Sequence, residues 1–363
     1  MKMIDSACGA RLYTEGRELV NFGGACYLGL SDIPELQEAA RAAAKYGAIA
    51  PVPRHYGFSV APVEEAENAA RAFFNTESAI YFPTGYLFGL VALHGLASRI
   101  DMVYTDSNAH YCLKDGIAAS GKPAVEFDHL DADDLRRKMN MTLKPKQVPA
   151  VVTDGMFATF GDIAPLDEYS RILAPYDGFL IVDESHSFGV IGPNGRGAVE
   201  KYGLSRERVL AGGSLSKAFC AFGGIAVGSS ELIDALSVWP PIRGSSAGMS
   251  AAAAMSAAAM QYAKAHPELL TRLRKLVGEL KLGLSGLGIS VKQTESPVVA
   301  FTLESRERML ALQRFLNVNG IYVLFSEYIG AGADGVIRCA VFADHTEDDV
   351  RLLLTMIARF LKG

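Results

Sequence analysis

Cysteine is scarce in this 363-residue chain: Cys8, Cys26, Cys112, Cys220 and Cys339 are scattered, odd in number and form no CxxC pair. Such a set predicts neither a disulfide framework nor a zinc site, and a reducing cytoplasm fits it best. Charge of one sign is also lacking, since 35 Lys and Arg stand against 40 Asp and Glu for a formal net charge of −5. That balance gives no electrostatic pull towards nucleic acid or an anionic membrane, and neither is expected as a partner. Long apolar runs are missing as well. The N-terminus is broken by Lys2, Asp5, Arg11, Glu15, Arg17 and Glu18, which predicts no signal peptide and a mature chain starting here. Residues 244–263 carry no charge, but they are mostly Ala, Ser and Gly, too weakly apolar for a membrane span. They predict a helix whose small side chains allow close packing. HExxH and Walker sequences are absent, and the 192–197 stretch GPNGRG is not a GxGxxG, so zinc protease, P-loop and nicotinamide chemistry lose their usual support. His55, His129 and His345 have no ligand-like spacing and are expected to be structural or surface residues.

What is present is a globular composition, 50% apolar and 21% charged. At roughly 100–200 residues per domain, the length predicts two domains with a core large enough to bury a site, and small molecules as ligands. Short β-rich runs at 79–82, 102–105, 124–127, 150–153, 179–182, 209–212 and 225–227 alternate with helical patterns, which predicts an α/β domain with a largely parallel sheet. The 179–182 run FLIV is apolar on both faces, as a strand covered on both sides must be. Ligands in such sheets sit beyond the carboxyl ends of the strands. Residues 34–46 read as a helix introduced by Ser31 and Asp32 before Pro34, and helices are expected over 266–284 and 350–361. The expected division is an N-terminal segment 1–46 that packs with a C-terminal small α+β domain 263–363, beside a large α/β domain 47–262.

Two segments after apolar strands carry candidate chemistry. Asp183 and His186 stand three apart in VDESH, and Ser214 and Lys217 stand three apart in GGSLSK. Alone, the first is an ordinary surface turn and the second a solvated lysine. Together they fit an aldehyde cofactor: a lysine at a strand end can form a Schiff base, and a carboxylate a strand or two away can pair with a pyridinium nitrogen. That is what pyridoxal phosphate (PLP) requires.

The chain resembles the α-oxoamine synthases, a group of fold-type I PLP-dependent transferases, from NF at 21–22 and YLGL at 27–30 through DESHSFGVIGPNGRG at 183–197 and GSLSKAFCAFGGIAVG at 213–228. The resemblance implies a large domain with a mostly parallel seven-stranded sheet plus a smaller α+β domain. It implies that Lys217 holds PLP and works as acid and base at Cα, that Asp183 bonds the ring nitrogen, that His186 meets the phenolic oxygen, and that His110 stacks on the ring. Thr84, Gly85, Tyr86 and Ser214 would bind the phosphate, helped by Ser245 and Ser246 from a neighbouring subunit, so a homodimer is implied. Arg338 would clamp the amino-acid carboxylate. The implied reaction is decarboxylating condensation of an amino acid with an acyl-CoA, in a cytoplasmic enzyme without a metal. Transamination, decarboxylation, aldol cleavage or racemisation remain as alternatives, because the same cofactor serves them all. The chain departs from the family pattern at 50–57, at Pro62, at Ala158 and Thr159, and at Phe325, Ser326, Glu327 and Tyr328, so its acyl entrance is expected to differ.

Overall fold

The computed structural model describes residues 3–363. Strands β1 (Arg11–Thr14) and β2 (Arg17–Asn21) form an N-terminal hairpin. The seven apolar runs become β3 (Ser78–Phe82), β4 (Met102–Asp106), β5 (Ala124–Phe127), β6 (Pro149–Asp154), β7 (Phe179–Asp183), β8 (Val209–Ser214) and β9 (Gly224–Gly228). Four strands follow: β10 (Val298–Phe301), β11 (Ile321–Tyr322), β12 (Leu324–Ser326) and β13 (Val336–Ala340).

The seven-stranded sheet has the order β3-β9-β8-β7-β6-β4-β5, and β9 alone runs against its neighbours. Its central strands are apolar on both faces because each face has its own core. Val151, Leu180 and Val182 enter one apolar cluster, while Val152, Ile181 and Leu210 enter the other. Side chains alternate across a strand, so a run without polar residues is what a doubly covered sheet demands. Two small sheets complete the fold: β11 adds parallel to β2 on the edge opposite β1, and β13 is flanked antiparallel by β10 and β12.

The helices adjust three expectations. The first runs over Pro34–Ala42, with a tighter turn over Ala43–Tyr46, and its N-cap is Ile33 without any side-chain cap, so neither Ser31 nor Asp32 starts it. Proline at the first turn suffices, because its fixed φ is already helical and its missing N–H is not needed there. The uncharged 244–263 stretch is not one helix. A short helix ends at Gly244 (Pro240–Gly244), the chain extends at Ser245, and a new helix spans Ser250–Ala265. That helix packs on the helices Ala61–Phe74 and Pro34–Ala42 through small residues such as Ala253 and Ala257. Among the described residues, no helix is long and apolar enough to cross a membrane. The expected C-terminal helices lie at Glu268–Gly286 and Glu347–Lys362 and pack together.

The cysteine reading needs a correction. Cys8 and Cys26 form a disulfide, their Cα atoms 6.4 Å apart across 18 positions of sequence. The β1–β2 hairpin folds the chain back so that residues 8 and 26 meet, which spacing along the sequence does not reveal. With that bond, the cysteine pattern no longer argues for a reducing compartment. Cys112, Cys220 and Cys339 are free.

Candidate active site

Five strands that run the same way deliver the site. β3 leads to Thr84 and Gly85, β4 to His110, β6 ends on Asp154, β7 on Asp183, and β8 on Ser214 with Lys217 one turn beyond. This is the carboxyl edge of the sheet, where backbone groups are free to turn towards a ligand.

Asp183 is buried, and both its oxygens are engaged: Oδ1 accepts the Ser185 N–H at 2.8 Å and Oδ2 the Cys112 thiol at 3.1 Å. Gly213 must lack a side chain for this to hold. Its φ is +150°, and a Cβ there would lie 2.7 Å from Ser185 N and 2.8 Å from Asp183 Oδ1. Asp154 is the register partner of Asp183 on the adjacent strand. Burial, reinforced by the Asp183 charge, raises its pKa well above the usual carboxylate range. Sequence reading passed over Asp154, although it ends its strand as Asp183 does.

His110 caps the helix Tyr111–Ser120. Its Nδ1 accepts the Cys112 N–H at 3.1 Å, and its own backbone N–H goes to Asp154 Oδ2 at 2.9 Å. A ring accepting at Nδ1 is neutral and carries its one hydrogen on Nε2, so Nε2–H donates to the Tyr328 hydroxyl at 2.9 Å. Burial keeps the His110 pKa below its ordinary value, against the pull of Asp183. Tyr328 belongs to the segment where the chain departs from its family pattern, and it takes part in the site.

The Lys217 side-chain amine makes no hydrogen bond or ion pair among the described residues. Burial, and then the Arg338 charge, lower its pKa, with Asp183 opposing. The neutral amine, the form that attacks an aldehyde, is therefore reached at lower pH than for a solvated lysine.

His186 and Arg338 are joined by a residue that the sequence did not single out. The fully buried Tyr27 hydroxyl lies 2.8 Å from His186 Nδ1 and accepts from Arg338 Nη2 at 3.4 Å. Arginine cannot accept, so the tyrosine proton goes to Nδ1, and neutral His186 carries its hydrogen on Nε2. Burial, with Lys217 and Arg338 nearby, holds the His186 pKa well below its ordinary value. Arg338, itself buried on β13, also donates from Nε to the Ala158 carbonyl at 2.8 Å and from Nη1 to the Gly24 carbonyl at 2.9 Å. At Ala158, one of the positions where the chain departs from its family pattern, it is the backbone that takes part.

Gly85 opens the turn Gly85–Leu87 before the helix Phe88–Gly95. A Cβ on it would stand 2.2 Å from Ser214 Cα, so the two segments expected at the phosphate touch directly. Tyr86 is half exposed there. Ser245 is exposed, and the Ser246 hydroxyl bonds only within its own turn, to Gly248. His129 lines a recess with His110, Asp154 and Tyr328. Burial works against its charge, but hydrogen bonds to Asp106 and Asp162 prevail and its pKa is pushed up to about 9.

The donor set fits PLP. An unpartnered amine lies in the field of a buried carboxylate, its charge reaches two neutral imidazoles, and a glycine turn meets a serine-bearing strand end. Fold and site thus define a fold-type I PLP-dependent enzyme. The chain belongs to the aminotransferase class I and II family, whose model matches residues 17–357. It is 33% identical over 368 aligned positions to a putative 8-amino-7-oxononanoate synthase of Desulforudis audaxviator, covering 97% of this chain and 92% of that protein. It is 30% identical over 363 positions to the serine palmitoyltransferase of Sphingobacterium spiritivorum, covering 99% and 90%. A solved serine palmitoyltransferase carrying PLP as an internal aldimine superposes with a TM-score of 0.92 at 26% identity, covering 100% of this chain and 92% of that one. The 8-amino-7-oxononanoate synthase of Francisella tularensis shares the fold, with a TM-score of 0.79 at 22% identity over 95% and 98% of the two chains.

Proposed function

We propose that this chain is a PLP-dependent acyltransferase that condenses an amino acid with an acyl-CoA thioester and releases CO2. The observation that carries the reading is the partly buried, unpartnered Lys217 amine, which feels the charges of both Asp183 and Arg338. When bound, PLP supplies an aldehyde and an electron-withdrawing ring that acidifies the Cα–H of an attached amino acid. Lys217 Nζ, neutral at lower pH than usual, takes the Cα proton and returns it. Asp183 holds a proton on the ring nitrogen, and its bonds to Ser185 and Cys112 fix the carboxylate for that task. His110 would offer a neutral ring face, and His186, with its hydrogen on Nε2, would be free to donate to the phenolic oxygen. Gly85, Tyr86 and Ser214 hold the phosphate, with Ser245 and Ser246 presented to a second copy in a homodimer.

Arg338 uses three of its five N–H groups on Ala158, Gly24 and Tyr27. One N–H on each Nη is left, enough to bind a carboxylate. Arg338→Ala should raise the KM for the amino acid roughly 10- to 100-fold, the loss expected for a charge-assisted hydrogen bond, with PLP affinity unchanged. An unchanged KM would remove Arg338 from the carboxylate site.

The overall reading is tested by incubating the PLP-loaded protein with a panel of amino acids and acyl-CoAs while following free CoA and CO2. Release of both, dependent on the amino acid, is the expected result. Keto-acid formation without need for acyl-CoA would overturn condensation in favour of transamination.

A further inference from the structure

We propose that Cys112 is a positioning residue whose thiol and backbone N–H set Asp183 and His110 together around the cofactor ring. The inference rests on the PLP reading above. Cys112 lies in the first turn of the helix Tyr111–Ser120 and is buried. Its Sγ donates to Asp183 Oδ2 at 3.1 Å, and its N–H donates to His110 Nδ1 at 3.1 Å. One polar side-chain atom from each of His110, Cys112 and Asp183 lies within 4.8 Å of the other two. One residue therefore touches both the group assigned to the ring nitrogen and the group assigned to the ring face.

The backbone of Cys112 has little room to move. A Cβ on Gly89 would lie 2.2 Å from the Cys112 carbonyl oxygen, and one on Gly116 would lie 2.3 Å from the Gly89 carbonyl carbon. Two helices thus meet at glycines and clamp the turn that carries the thiol. Burial, and then Asp183, push the thiol pKa upwards, so the S–H stays in place as a donor across the working pH range. Ser185 N–H on Oδ1 and Cys112 S–H on Oδ2 hold the carboxylate from both oxygens and fix its plane. A thiol is a weak donor, so it orients Oδ2 while leaving most of the charge for the ring nitrogen.

The test compares wild type, Cys112→Ala and Cys112→Ser as PLP-loaded proteins, reading PLP affinity by dialysis and the pH midpoint of the bound-cofactor absorbance. Cys112→Ala should bind PLP several-fold more weakly and shift the midpoint by roughly half a unit or more, the effect of one lost hydrogen bond. Cys112→Ser keeps a donor and should return both values towards wild type, with the amino-acid KM unchanged in both variants. An alanine variant with wild-type affinity and midpoint would overturn the positioning role while leaving the PLP reading intact. So would a serine variant that behaves like alanine, because packing and not donation would then be at work. A wild-type protein with no bound-cofactor absorbance would overturn both.

Discussion

Lys217→Ala folds, binds PLP only reversibly and loses turnover by about 10⁴-fold or more, since removing a positioned acid–base group alone costs up to about 10⁴. Borohydride treatment followed by mass measurement should add a phosphopyridoxyl group, the cofactor less one oxygen, to the wild-type chain and nothing to the variant. Folding survives because the amine makes no hydrogen bond or ion pair that the rest of the chain relies on. His186 should respond too. Burial and then the Lys217 charge depress its pKa, so deleting that charge lets the imidazole titrate at higher pH. Retained covalent attachment and turnover in the variant would sink the assignment of the cofactor lysine.

Asp183→Asn keeps the shape of the side chain and removes its charge. We expect kcat to fall by about 10²- to 10³-fold, as when one preorganised electrostatic partner is lost, with the cofactor still attached to Lys217. Two neighbours report the change independently of activity. The Ser185 N–H needs an acceptor, so the amide oxygen must take the Oδ1 position, leaving the amide nitrogen against the Cys112 thiol. Asp154, whose pKa burial and then Asp183 raise, loses the second of these influences and should ionise at lower pH. A variant with wild-type kcat would show that the ring nitrogen needs no anionic partner here.

Much of this arrangement was readable from one dimension. A sheet covered on both faces requires central strands with no polar side, and the seven runs read from the sequence matched the strands within one or two residues at each end, the edge strand β5 with its exposed Glu126 being the least apolar. Ligand groups cluster at carboxyl ends, so looking just past each run found Asp183, His186, Ser214 and Lys217. What escaped reading depends on distance along the chain. Tyr27 is 159 positions from the His186 ring it bonds and 311 from Arg338. Cys112 is 71 positions from Asp183, and Tyr328 is 218 from His110. No local pattern encodes such contacts, because they arise only when separate strands are laid side by side. The Cys8–Cys26 pair escaped for the same reason, and Ile33 as an N-cap escaped because a proline made a polar cap unnecessary.

The bridge between Cys8 and Cys26 encloses the exposed turn at Glu15 and Gly16 that joins β1 to β2. A protease that nicked the chain at this turn would sever the polypeptide without freeing the amino-terminal piece. The two fragments would migrate as a single species on a non-reducing gel and part only when a thiol reductant was added. Gly24 and Tyr27, which contact the Arg338 side chain, would stay fastened to that piece in the meantime.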